Sequence, residues 1–98
     1  MKKYYAIFRE ETRGSKYKDW GNSFCFFEVA DDSKILRQWE VYKNGNLLVY
    51  DHDHLDDEHG GLALCRLNEF DQEINPVEVQ LSDLEKFLQN FKILNQSN

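Results

Sequence analysis

The chain has 98 residues, of which 41% are hydrophobic and 14% aromatic, and it carries a net charge of −6. That length suits one domain around one core, and an aromatic content this high excludes a disordered chain. No stretch approaches the roughly 20 apolar residues of a membrane span, and "MKKYYAIFREE" lacks the uncharged core of a secretory signal, so the expectation is one cytoplasmic domain over residues 1–98 with no membrane contact.

"KKYYAIFREE" alternates Tyr4, Ala6 and Phe8 with Tyr5 and Ile7, the period of a strand. "TRGSKYKDWGN" has no sustained period and is read as a long loop, and "SFCFFEVA" is a second strand closed by the turn-forming "DDS". "KILRQWEVYK" follows, with Ile35, Trp39 and Val41 assigned to one face and Leu36 and Tyr42 to the other. Asn44-Gly45 in "YKNGNLLVY" predicts a two-residue type I′ hairpin between strands 34–43 and 46–50. "GGLALCRL" is a further candidate strand, "NEFDQEI" has helical spacing until Pro76 stops it, and "VEVQ" is a short edge strand. Ser82 and Glu85 form a capping box, ahead of a stripe of Leu84, Phe87, Leu88, Phe91 and Leu94 that predicts a closing helix. Asn95-Gln-Ser97 fits a glycosylation sequon, which has no consequence in the cytosol.

These elements predict an α+β fold: a twisted antiparallel sheet of four to five strands with the C-terminal helix packed on one face. The other face, rich in aromatics and charge, is expected to be partly exposed and to offer a place for a partner or a second copy in a homodimer. Cys25 and Cys65 are expected as free thiols in a reducing compartment, each a small buried hydrophobe.

Charge is unevenly distributed. Residues 1–18 hold six basic against two acidic side chains, a net +4, while residues 19–98 hold six against sixteen, a net −10. Phosphate binding draws on Lys and Arg displacing counterions, so an acidic chain disfavours nucleic acid and favours a basic protein surface.

The densest run is "DHDHLDDEH" at residues 51–59. Its bland reading is a solvated, dipole-matched turn that shields a sheet edge. A functional reading makes Asp53, Asp56, Asp57 and Glu58 an anionic surface for a protein partner, with Trp20 as an anchor. The alternative is a divalent metal site built from His52, His54, Asp56 and His59. His52-x-His54-x-Asp56 is similar to the opening of the metallo-β-lactamase motif, and departs from it at Asp57, where that motif has His. No organic cofactor is implied.

Arg13, Lys16 and Lys18 interleave with Tyr17 and Trp20, a pattern that suits single-stranded nucleic acid or a protein interface, or simply a tryptophan folded back on the core. Nucleophile-elbow, phosphate-loop, dinucleotide and zinc-protease motifs are all missing, and Cys25 between Phe24 and Phe26 reads as packed rather than activated.

"FFEVADDSKILRQWEVYKNGNLLVYD", the Gly60-Gly61 pair and "INPVEVQLSDLEKF" together resemble a group of small uncharacterised bacterial proteins. The shared positions are Arg37, Glu40, Gly45, Tyr50, Gly60, Gly61, Ser82, Glu85 and Phe87. The chain differs from the group in Trp39 and in its longer His-rich segment before Gly60. Similar small acidic proteins act as immunity proteins that block toxins, so the resemblance implies a non-enzymatic inhibitor that covers a basic surface of its target, a toxin for example.

Overall fold

Apolar side chains alternating onto both sides of an extended backbone build the first four strands of the computed structural model, which describes residues 2–70 and 74–95. β1 (Lys3–Arg9), β2 (Ser23–Val29), β3 (Ile35–Tyr42) and β4 (Asn46–Asp51) form an antiparallel meander. β5 (Asp56–Asp57) and β6 (Gly60–Gly61) pair only with each other, as a small hairpin. β7 (Val77–Val79) adds antiparallel to the outer side of β1, α1 (Leu81–Leu88) follows, and β8 (Lys92–Ile93) adds parallel to β4.

The sheet order is β7-β1-β2-β3-β4-β8. The α+β class is as expected, but the sheet has six strands and is mixed, not four to five and wholly antiparallel. β7 is the short edge strand expected in "VEVQ", whereas β8 is unexpected; the two are two or three residues long, flank α1 and cover the exposed edges of β1 and β4.

The β3–β4 turn differs from the type I′ expectation. Of its residues only Gly45 has a left-handed φ, at 98°, and its N–H donates to Tyr42 O at 2.9 Å. This is a three-residue loop, a type I turn closed by one left-handed residue. The β2–β3 turn repeats the pattern with Ser33 at φ 69°, its N–H donating to Ala30 O at 2.9 Å.

A register shift corrects one face assignment. Glu28 pairs with Arg37, but the next residue, Val29, pairs with Ile35, so Leu36 is bulged out. Ile35 therefore packs with Val29, Phe27 and Cys25, while Trp39 and Val41 lie on the opposite side of the sheet.

On that opposite side α1 lays Leu84 against Phe26, Trp39, Val41, Leu47 and Val49, with Phe87, Leu88 and Phe91 alongside. Burying a leucine such as Leu84 contributes about 1.5–3 kcal/mol. The helix is shorter than its apolar stripe. Lys92 and Ile93 leave it for the β4 edge, and Asn90 turns the chain by donating its side-chain amide to Phe87 O at 3.2 Å. Leu94 is thus off the helix. Ser82 sits inside the first turn with Gln80 as N-cap and no side-chain capping bond, so the expected capping box is not formed.

The second sheet face is covered as well, contrary to the expectation that it is partly open. Ile7, Cys25, Phe27, Val29, Ile35, Tyr42, Leu48 and Tyr50 are buried there beneath Trp20, Leu62, Leu67 and Phe70. The loop before β2 contributes a 3-10 helix, Ser15–Trp20, with Tyr17 buried. Of the "GGLALCRL" segment only Gly60 and Gly61 are in a strand. The helix expected over "NEFDQEI" is limited to a 3-10 turn at Leu67–Glu69, and its residues 71–73 lie outside the described residues. Cys25 is buried as expected, whereas Cys65 is exposed; both are free thiols.

Candidate functional site

Residues 51–63 cross the second sheet face as a strap, and the strap is tied down from the inside. Asp57 is its anchor. The carboxylate is only 17% exposed and accepts four hydrogen bonds. Tyr50 OH (2.9 Å) and the His59 N–H (2.8 Å) donate to Oδ1, while His54 Nε2 (2.7 Å) and Asn95 Nδ2 (2.8 Å) donate to Oδ2. Burial by itself would raise the Asp57 pKa, but the bonds from His54, Asn95, the His59 amide and Tyr50 outweigh it and hold the carboxyl well below its usual range. An ionised carboxylate only accepts, so His54 carries its proton on Nε2.

The turn of the strap follows from this anchor. Asp57 reaches across Glu58 to the His59 amide, and Gly60 supplies a φ of 148° that side chains rarely adopt. Gly61 is required by space: a Cβ there would stand 2.9 Å from Leu55 O. Leu62 then donates its N–H to Leu55 O at 2.8 Å and enters the core.

A second knot ties the strap to the loop before β2. Arg13 donates to His59 O at 2.6 Å and to Tyr42 OH at 3.2 Å, and its guanidinium lies 3.8 Å from the Tyr17 ring centroid. Tyr17 OH lies 3.2 Å from Glu58 O and 3.1 Å from His59 Nδ1. Below them Glu40, 8% exposed, accepts from Gln38 Nε2 and Tyr42 OH, both at 2.7 Å. Gln38 also donates to Gly61 O (3.2 Å) and accepts from the Ala63 N–H (2.9 Å). Burial first, then the charge of Glu40, raises the Tyr42 pKa, and the same two causes push the Cys25 thiol up to about 12.

This network is closed on itself. Among the described residues no buried side-chain nitrogen or oxygen lacks a hydrogen-bond partner. Its polar groups are occupied in joining strap, loop and sheet, which is a structural task.

The residues singled out from the sequence divide into two sets. Asp53, Asp56 and Glu58 are exposed on the strap, Glu58 with 75% of its side chain in solvent. Asp57 faces inward as the anchor. Trp20 is half-buried, edge-on to Tyr17 and Tyr42 with ring centroids 4.9 Å apart in each case, so much of its surface belongs to the core. The four residues of the metal alternative point apart: His52 and Asp56 are exposed, His54 is held by Asp57, and His59 packs beside Tyr17 and Trp20. Among the described residues no group of three or more His, Cys, Asp or Glu could hold a metal ion. Arg13 and Tyr17 are likewise committed to the strap, and Lys16 and Lys18 are exposed.

Sequence reasoning missed the parts played by Gln38, Glu40, Tyr42, Arg13, Tyr50 and Asn95. The available signal was the period-2 set Gln38, Glu40, Tyr42, a polar strip that reads as solvent-facing. Its partners in register, Phe27, Cys25 and Ser23, are themselves buried, and register is what reverses the reading.

The fold and site together define an α+β domain with an acidic strap pinned over one sheet face, and among the described residues no helix is long and apolar enough to cross a membrane. Comparison with known proteins finds no matching family model, no matching curated protein and no matching solved structure.

Proposed function

We propose that the protein is a non-enzymatic binding module whose acidic strap engages a basic surface of another protein, as an inhibitor or immunity protein does with a toxin. The observation that carries this reading is the division of labour within the strap. Tyr50 holds the strap from below through the Asp57 carboxylate, and Arg13 and Gln38 hold its backbone at His59 O and Gly61 O, which leaves Asp53, Asp56 and Glu58 exposed on a preordered scaffold. Little conformational entropy then remains to be lost on binding, and the negative potential steers a basic partner into encounter. The closed hydrogen-bond network adds support, because the buried polar groups among the described residues are already engaged with one another.

The test uses immobilised protein and the variant Asp53→Asn/Asp56→Asn/Glu58→Gln, with extract of the native host. The reading expects a basic protein retained by the wild type and lost by the variant. The isolated pair should associate about tenfold or more slowly when salt is raised from roughly 50 to 500 mM, since screening shortens the reach of exposed charges. Equal retention by both forms, or association indifferent to salt, would overturn it.

A further inference from the structure

Among the described residues, the outer edge of β4 is met by the segment 92–95. β8 contributes two register pairs, Asn46 with Lys92 and Leu47 with Ile93, and the Leu94 N–H adds a bond to Leu47 O at 2.8 Å. One step further along the strand the backbone ladder is replaced by a side chain. Asn95 Oδ1 accepts from the Val49 N–H at 2.9 Å and Nδ2 donates to Val49 O at 3.1 Å, so the carboxamide copies the donor and acceptor of a paired residue. The same Nδ2 reaches Asp57 Oδ2 at 2.8 Å. Asn95 is therefore bonded at once to the sheet edge and to the anchor of the strap.

We propose that the C-terminal segment 92–95 is a latch for the acidic strap, with Asn95 as the residue through which tail docking and strap ordering are coupled. When the tail leaves β4, Asp57 loses one of the four donors that fix its carboxylate in place, and the position in which it meets Tyr50, His54 and the His59 amide is held less firmly. When the strap lifts, Asn95 loses its bond to Asp57, and of its described side-chain bonds those to Val49 remain. Coupling of this kind is reciprocal: whatever orders one segment orders the other by the same factor. Any extended chain that displaced residues 92–95 from β4 would release the strap. A partner bound to the ordered strap would tighten the tail; this last consequence rests on the binding function proposed above, whereas the coupling itself does not.

Native-state hydrogen exchange on the Asn95→Ala variant of the full chain tests the latch without any partner. Coupling expects the amides of His59 and Leu62 in the strap to exchange about tenfold faster together with Leu94 in the tail, while the central β2–β3 amides are unchanged. Faster exchange at Leu94 with His59 and Leu62 within about twofold of wild type would overturn the proposal. Should every amide speed up together, urea denaturation of Asn95→Ala, Asp57→Asn and the double variant decides. Linked residues make the double variant's unfolding constant smaller by about tenfold than the product of the two single effects, and a match to that product within about twofold overturns the latch.

Discussion

Asn in place of Asp57 keeps the shape of the side chain and removes its charge, and the four donors around it make the cost calculable. The new NH2 must face either the Oδ1 pair, Tyr50 OH and the His59 N–H, or the Oδ2 pair, His54 Nε2 and Asn95 Nδ2. Tyr50 can turn its hydroxyl and His54 can change tautomer, so either can become an acceptor. A backbone N–H cannot, and Asn95 cannot without giving up its paired bonds to Val49. Whichever way the introduced carboxamide sits, one obligatory donor is left against another donor. With hydrogen bonds to charged groups contributing about 1.5–3 kcal/mol each, the loss should be about 2–4 kcal/mol. Urea denaturation followed by Trp20 and Trp39 fluorescence should show the midpoint fall by roughly 1–2 M, for a slope of about 2 kcal/mol per M. The pH dependence supplies a second check. Because the folded-state pKa of Asp57 is depressed, its stabilisation is fully present above the unfolded value near 3.9 and is lost as pH falls below it toward the folded value. The gap between wild type and variant should therefore be constant from about pH 8 to 5 and narrow below about pH 4. A gap under about 0.5 kcal/mol at neutral pH, which is the scale of an ordinary surface substitution, or one that persists undiminished in acid, would refute the anchor.

Ser33→Gly should stabilise the protein by about 0.5–1 kcal/mol, because Ser33 holds a left-handed φ of 69° that costs a residue with a Cβ; a lower thermal midpoint would contradict this. Gly61→Ala should destabilise by about 1–3 kcal/mol, since the added methyl meets the Leu55 carbonyl oxygen and the turn of the strap has to shift. Chemical denaturation at neutral pH checks it. At high pH the raised folded-state pKa values of Cys25, Tyr42 and Tyr50 have a common sign: their contribution is complete below the unfolded values of about 8.5 and 10, and is lost as pH climbs through the folded ones. Denaturation midpoints should therefore decline above about pH 9, and a flat profile to about pH 11 would contradict this assignment. A thiol reagent should modify one cysteine in the native protein, the exposed Cys65, and both only after unfolding; rapid labelling of Cys25 would show its strand to be more open than described.

Gly45 closes the β3–β4 turn, and Tyr50 and Phe87 pack on opposite sides of the sheet. Tyr50 has a further part in this chain, as a donor to the Asp57 anchor. The His-rich segment carries the chain across the sheet face between Tyr50 and Leu62, both of which are buried in the same core. Within it Asp57 meets Tyr50 OH, and Leu62 returns to the core.

Local chemistry was enough to determine the meander. Alternation in "KKYYAIFREE" and "SFCFFEVA", the turn residues at Asp31–Ser33 and Asn44–Gly45, and Val77–Val79 as an edge strand are all properties of a few neighbouring residues, and the strands formed where those residues lie. Acidity and the lack of a long apolar stretch are likewise sums over residue types. Only the tertiary structure decided that both sides of β3 are interior and which core each of its side chains joins. One bulged residue, Leu36, exchanges the faces, and the strap and loop then bury Gln38 and Glu40, which alternation alone assigns to solvent. It also decided that Asp57 belongs to the inside while Asp53, Asp56 and Glu58 remain outside. Adjacent carboxylates are chemically alike, and what separates them is the convergence on Asp57 of donors from β4, the strap and the C-terminal tail: Tyr50, His54 and the His59 amide are near in sequence, whereas Asn95 arrives only once the chain has folded.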